Sequence, residues 1–184
     1  MKLSKILALV MSLVMVLSFA ACAATSDEEA TTAAPVTEEA TTETTAPEGA
    51  PEMSDCTGKF EFAAFSFTVN GKTIDNAAMA DATMWKVKDL ETVNSKGNAS
   101  TNTYSGYAIK DVLKAAGCED ATKITLVCSD GYEIEFEITE ENAPYTLCAL
   151  EVNKEAVTEG FTFAPCLETT SGNYAKGVVE IQVG

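Results

Sequence analysis

The alternation of apolar and polar side chains is clearest in KITLVCSDGYEIEFEIT, residues 123–139. The pattern predicts a strand, a turn at Asp130-Gly131 and a second strand. In the second strand the glutamates at 133, 135 and 137 alternate with Tyr132, Ile134, Phe136 and Ile138. One face of this strand is therefore expected to lie on the core and the other in water.

A different spacing appears in YAIKDVLKAAGC, residues 107–118. Its apolar residues recur at i, i+3, i+4 and i+7 and are Ile109, Val112, Leu113 and Ala116. They occupy one face of a helix, and Gly117 is the residue type that ends a helix in the left-handed conformation. The spacing predicts a short helix that packs on a sheet.

The rest of this region is predicted to be mainly extended. Residues 60–74 form a hairpin at Asn70-Gly71, residues 83–93 and 178–183 are strands, and residues 143–157 form a strand with a turn at Asn153. The polar, glycine-punctuated run 94–106 is expected to be a loop or a loose hairpin. Residues 56–184 are thus predicted to form one α+β domain, a mainly β mixed sheet with one or two short helices.

The first 21 residues have the order of a secretory signal peptide. Lys2 and Lys5 precede an apolar run from Ile6 to Phe19, and two small residues follow before Cys22. This ending resembles the lipobox of bacterial lipoproteins, in which the cysteine is lipidated and becomes the new N-terminus. Cys22 is therefore predicted to be a lipid anchor, with ordinary cleavage near Ala23 as the alternative, and the protein is expected outside the cytoplasm on the cell membrane.

Residues 22–55 consist mainly of Thr, Ala, Glu and Pro, with nine acidic residues and no lysine. Such a composition cannot bury enough apolar surface to offset the entropy of ordering, and its charges repel one another. We expect a disordered acidic stalk that presents the domain. The whole chain has a net charge of −16, which makes nucleic acid an unexpected partner.

The domain carries five cysteines but no histidine. They are Cys56, Cys118, Cys128, Cys148 and Cys166. They show no C-x-x-C spacing, so no metal site is expected. Buried thiols and disulfides both remain open, although Cys128 and Cys148 lie in apolar strand patterns typical of small core residues. The glutamate ladder could hold a cation, but a solvated face that discourages edge pairing is the simpler interpretation.

Two motifs resemble a known family. Gly106, Ile109, Val112, Leu113 and Gly117 match the glycine-led helix of the sulfite-oxidase-type molybdopterin-binding domain, and SDGY at 129–132 matches the end of its next strand. Lys176, Ile181 and Val183 fit its last strand. The resemblance covers about residues 60–184 and implies that fold. It also implies a molybdopterin cofactor and an oxidoreductase activity.

The residues that this family uses for its chemistry are missing. Its cysteine ligand lies in the loop before the helix, and that loop here contains no cysteine; the chain has no arginine and no histidine for an anionic pterin or substrate. Without histidine, no Ser-His or Cys-His pair exists either. We therefore expect no cofactor and a ligand-binding or interaction module. A molybdopterin-dependent oxidoreductase or electron-transfer accessory is the alternative.

If a pocket of the family persists, the loop from Asn94 to Tyr104 and the turn at Tyr132 are expected to line it. The candidate ligand-binding residues are Asn94, Ser95, Lys96, Tyr104 and Tyr132. Tyrosines of this kind stack on small ligands, but they also pack at the edge of β-sheet cores. A small ligand, a cell-wall component or a partner protein are the expected partners, together with the membrane.

Overall fold

The computed structural model describes residues 46–59 and 64–184. The predicted signal peptide, Cys22 and most of the predicted stalk lie outside the described residues. Within them the chain is mainly β. The strands are β1 (Met53–Asp55), β2 (Ser66–Val69), β3 (Lys72–Asp75), β4 (Met84–Val93), β5 (Ala99–Ala108), β6 (Lys123–Cys128), β7 (Glu133–Glu137), β8 (Thr146–Val152), β9 (Glu155–Ala156), β10 (Phe161–Pro165) and β11 (Ala175–Val183).

One α-helix, α1 (Ile109–Ala116), follows β5 in the described part of the chain, and short 3-10 turns occupy Ala143–Tyr145 and Ser171–Asn173. None of the described helices is long and apolar enough to span a membrane. The coarse prediction of a mainly β, α+β mixed sheet is confirmed.

The strands form one sheet in the order β1-β4-β5-β8-β10-β11-β2-β3, with β6 and β7 branching from β11 and β9 pairing with β8. Pairing is antiparallel except between β11 and β2, which run parallel. Strands β8 and β10 are central, and their side chains are buried on both faces. This explains why their sequences are continuous apolar runs rather than alternating ones.

Two groups of buried side chains cover the two faces of these central strands. The larger group contains Phe67, Ile109, Leu113, Phe161 and Phe163, so the apolar face of α1 packs into it as predicted. The smaller group is built around Val87, Tyr104, Leu147 and Cys166. Neighbouring β8 residues, Leu147 and Cys148, belong to different groups, because successive side chains of a strand point to opposite faces.

The turns follow the sequence closely. Asn70 and Gly71 both have positive φ between β2 and β3, and Asn153 and Lys154 do so between β8 and β9. These are the conformations of two-residue hairpin turns. Gly117 ends α1 with φ of 81°, and the Asp130-Gly131 turn joins β6 to β7. The helix and all three turns are confirmed.

The structure corrects the prediction at three places. Residues 99–106, expected in a loop or loose hairpin, belong to the ten-residue strand β5, and the connecting turn spans only 94–98. The prediction also missed β10. Tyr132, expected on the core face, is 59% exposed because it lies in the turn before β7 begins, where its N–H donates to Asp130 Oδ1 at 3.0 Å.

The last residues of the predicted stalk are also described. Met53–Asp55 pair with β4 along its free edge, and Met53 packs against the smaller group of buried side chains. Met53 is the one large apolar residue near the end of this Thr-, Glu- and Ala-rich segment. Its packing explains why sheet pairing begins before Cys56.

Candidate functional site

The predicted ligand-binding residues lie in three different places. Asn94, Ser95 and Lys96 form the exposed β4–β5 turn, Tyr104 is buried in β5, and Tyr132 lies in the β6–β7 turn. Strands β8, β10 and β11 separate β5 from β6 in the sheet. The structure therefore does not gather these residues around one pocket.

Asn94 holds its turn together with its own side chain. Its Oδ1 accepts hydrogen bonds from the N–H groups of Lys96 at 2.9 Å and Asn98 at 3.0 Å. This is the turn-building use of asparagine. With Oδ1 occupied by these two bonds, the side chain acts mainly as part of the turn.

Tyr104 packs against a second tyrosine rather than lining an open surface. Its ring centroid lies 5.8 Å from that of Tyr174, whose hydroxyl donates to the carbonyl oxygens of Pro165 and Glu168, both at 3.1 Å. Burial raises the pKa of Tyr104 to about 12. These two tyrosines match the core-edge interpretation.

A row of polar side chains crosses β4, β5 and β8. Lys86 stands opposite Ser105, and Ser105 stands opposite Glu151, whose Oε1 accepts the Ser105 hydroxyl at 3.2 Å. Ser105 is fully buried and Glu151 is 8% exposed. We call Cys56, Lys86, Ser105, Tyr107 and Glu151 the polar cluster, because their charged, hydroxyl and thiol groups interact with one another.

Burial favours the neutral form of two members of the polar cluster, a thiol and a phenol. Burial raises the pKa of the Cys56 thiol, and the nearby Lys86 ammonium offsets that rise only in part. The thiol donates to the carbonyl oxygen of Met84 at 3.5 Å. Burial also raises the pKa of Tyr107, whose ring lies 5.9 Å from Phe65. Because the thiolate is the form that acts as a nucleophile and metal ligand, the raised pKa of Cys56 disfavours both roles.

The donor set does not fit a molybdopterin. The β4–β5 turn offers amide, hydroxyl and ammonium groups but no thiol, and the cysteines that the structure describes are free, four of them buried. Burial raises the pKa of Cys56, Cys128, Cys148 and Cys166, whereas a soft metal binds the thiolate. Among the described residues no group of three or more His, Cys, Asp or Glu side chains converges on a possible metal position.

An open groove lies where α1, the loop before β6 and the segment after β7 meet. It encloses about 620 Å³. Its lining consists of Lys110, Leu113, Glu119, Asp120, Ala121, Thr122, Ile138, Thr139, Glu140, Ala143 and Pro144. We call it the helix groove. Its volume falls within the roughly 300–1,000 Å³ range of small-molecule sites.

The floor of the helix groove is apolar and its rim is charged. Leu113 and Ala143 are buried, and Ala121, Ile138 and Pro144 are half-buried beside them. The rim carries the exposed side chains Lys110, Glu119, Asp120 and Glu140. A few polar groups around an apolar floor are typical of a ligand pocket.

Hydrogen bonds donated by backbone N–H groups fix the walls of the groove. The N–H of Ile138 donates to the carbonyl oxygen of Thr122 at 2.8 Å, which joins the two walls. Thr139 and Asn142 bond each other reciprocally, through Thr139 N–H to Asn142 Oδ1 at 2.9 Å and Asn142 N–H to Thr139 Oγ1 at 3.1 Å. The groove is therefore formed by the fold itself and does not need a ligand to assemble it.

Two smaller cavities lie elsewhere. One of about 270 Å³ lies beside the β8–β9 turn, where Asn153 Oδ1 accepts from the Thr103 N–H at 2.8 Å. The other, of about 260 Å³, is lined by Glu52, Ser54, Lys88 and Asp89. The predicted site residues line none of these three cavities.

The sequence analysis missed both the polar cluster and the helix groove. The cluster depends on the register of three strands, and Ser105 and Glu151 are 46 positions apart. The groove joins three separate segments, α1, the loop before β6 and the segment after β7. No protein-family description matches the chain, and no curated protein matches it either.

Proposed function

We propose that the chain is a lipid-anchored extracytoplasmic protein whose folded part is a ligand-binding or interaction module. The observation that carries the binding part is the helix groove, with its apolar floor of Leu113 and Ile138 and its preformed walls. The polar cluster supports a structural role, because its buried hydroxyl already bonds a carboxyl group across β5 and β8.

The finer fold is part of the same proposal. A glycine-led helix, a strand, an Asp-Gly turn and a second strand follow in the order of the sulfite-oxidase-type domain, and this order supports a cofactor-free relative of that family. A shared fold is not a shared activity.

The membrane anchor rests on Cys22 and the apolar run before it. We expect the mature N-terminal peptide to begin at a lipid-modified Cys22. Mass spectrometry of that peptide tests this, and an unmodified start at Ala23 or Ala24 would contradict the anchor.

Filling the groove tests whether it binds ligands. Residues 23–184 retain every residue that the structure describes. In a fragment screen by ligand-observed NMR, we expect the wild type to bind apolar fragments and Thr122→Trp to lose that binding, because Thr122 is exposed at the groove wall. The matched control is Thr101→Trp, an exposed position of β5 outside the groove lining. Equal binding by both variants would remove the groove from the proposal.

A further inference from the structure

Carboxyl groups outnumber ammonium groups at the rim of the helix groove. This excess of negative charge distinguishes among ligands that have an apolar part. Three carboxyl groups, of Glu119, Asp120 and Glu140, stand at the rim with one ammonium group, of Lys110. The salt bridge between Lys123 and Glu135, at 2.9 Å, does not involve any of these four residues. The rim therefore carries a net negative charge above an apolar floor.

We propose that the helix groove takes a small organic cation with an apolar stem, of the alkylammonium class; this inference rests on the proposed binding function of the groove. The stem would lie on Leu113, Ala121 and Ile138, and the ammonium would lie at the carboxylate rim. Each part alone is weak. An exposed ion pair contributes little, and an aliphatic stem gains only from the area it buries. A ligand that has both parts uses the whole groove.

The volume favours a small molecule over a folded partner. About 620 Å³ accommodates a ligand of small-molecule size. Stable protein–protein interfaces bury roughly 800 Å² on each partner and do not need a groove of this kind. The size of the groove therefore suits a free amine with an aliphatic or aromatic stem better than a folded protein surface.

Three probes of equal chain length separate the contribution of the ligand's charge from that of its apolar stem. Hexylammonium, hexanol and hexanoate are titrated separately into ¹⁵N-labelled residues 23–184 at pH 7 and low salt, and the backbone amides are followed by NMR. Hexylammonium is expected to shift the amides of residues 119–122 and 138–140 with a Kd at least about fivefold below that of hexanol, and hexanoate is expected to bind more weakly than hexanol. Raising the salt concentration should narrow these differences.

Rim variants test the sign of the charge effect. Removing one exposed charge is expected to change the hexylammonium Kd about two- to fivefold, so Asp120→Asn and Glu140→Gln should weaken binding and Lys110→Gln should strengthen it. The hexanol Kd should stay unchanged in all three variants. Among the described residues no hydrogen bond or ion pair involves the side chains of Lys110, Asp120 or Glu140, so the variants should fold normally.

The outcomes separate the two proposals. If hexanol or hexanoate shifts the same amides as tightly as hexylammonium, the cation preference is wrong while the groove remains a binding site. If Lys110→Gln and Glu140→Gln change the Kd in the same direction, the cation preference is also wrong. If none of the three probes shifts the groove amides, both the preference and the groove's binding function are overturned.

Discussion

The polar cluster and the helix groove use similar side chains in opposite settings. In the cluster the Glu151 carboxyl group is buried and accepts the Ser105 hydroxyl at 3.2 Å. In the groove the Glu140 carboxyl group is exposed at the rim, and no hydrogen bond or ion pair with another described residue occupies it. A buried polar group that is satisfied fixes the strands that carry it, whereas an exposed one stays available to a ligand.

Strands β5 and β8 are tightly packed beside the polar cluster. A Cβ added at Gly106, next to Ser105, would lie 2.1 Å from the carbonyl oxygen of Cys148 and 2.6 Å from the Cα of Ala149. Strands β5 and β8 therefore approach so closely here that only glycine fits. A region of this kind contributes stability and register, and we assign it no role in ligand binding.

The largest expected difference between the two regions is in stability. Glu151→Ala should lower the free energy of unfolding by about 1–3 kcal/mol, because it leaves the buried Ser105 hydroxyl without its acceptor. Glu140→Ala, the matched groove variant, should change it by no more than about 0.5 kcal/mol. Urea denaturation of residues 23–184 measures both.

The opposite result would be informative about the cluster. Equal and small effects for the two glutamate variants would mean that the Ser105–Glu151 pair does not hold β5 to β8. The polar cluster would then be an available site rather than a structural one, and the contrast with the groove would disappear.

The elements that the sequence predicts well are those with local signals. The 3.6-residue spacing of Ile109, Val112 and Leu113 defines α1, and Asn70-Gly71 and Asp130-Gly131 define two hairpins. Strand β5 was missed because its Thr, Ser and Asn side chains have no apolar alternation. Its hydrogen-bonding partners, β4 on one side and β8 on the other, make it a strand.

The candidate sites could not be predicted because they are products of tertiary structure. Lys86, Ser105 and Glu151 meet only through the registers of β4 with β5 and β5 with β8. The groove needs α1, the loop before β6 and the Thr139–Asn142 bonds at the same time. The two tyrosines predicted to bind a ligand lie in different places, Tyr104 in β5 and Tyr132 in the β6–β7 turn.

The smaller expected effect concerns pH and the buried thiols. Burial raises the pKa of Cys166 from its ordinary value of 9.0 to about 12, and its Sγ donates to the Ala164 carbonyl oxygen at 3.3 Å. The unfolded chain therefore loses this proton at lower pH than the folded chain. The stability that the protonated thiol contributes is fully present below pH 9 and is lost as the pH rises towards 12.

Between pH 8 and pH 10 this loss should be about 1.4 kcal/mol, and Cys166→Ala should remove that part of the pH dependence. The substitution also deletes a buried hydrogen bond and a sulfur atom, which lowers stability by the same amount at every pH, so only the pH-dependent difference reports the thiol. Urea denaturation of both proteins at pH 8 and pH 10 gives that difference. Parallel losses in the wild type and in Cys166→Ala would show that the thiol titrates alike in the folded and unfolded chains. The smaller group of buried side chains, to which Cys166 belongs, would then leave this thiol as well solvated as it is in the unfolded chain.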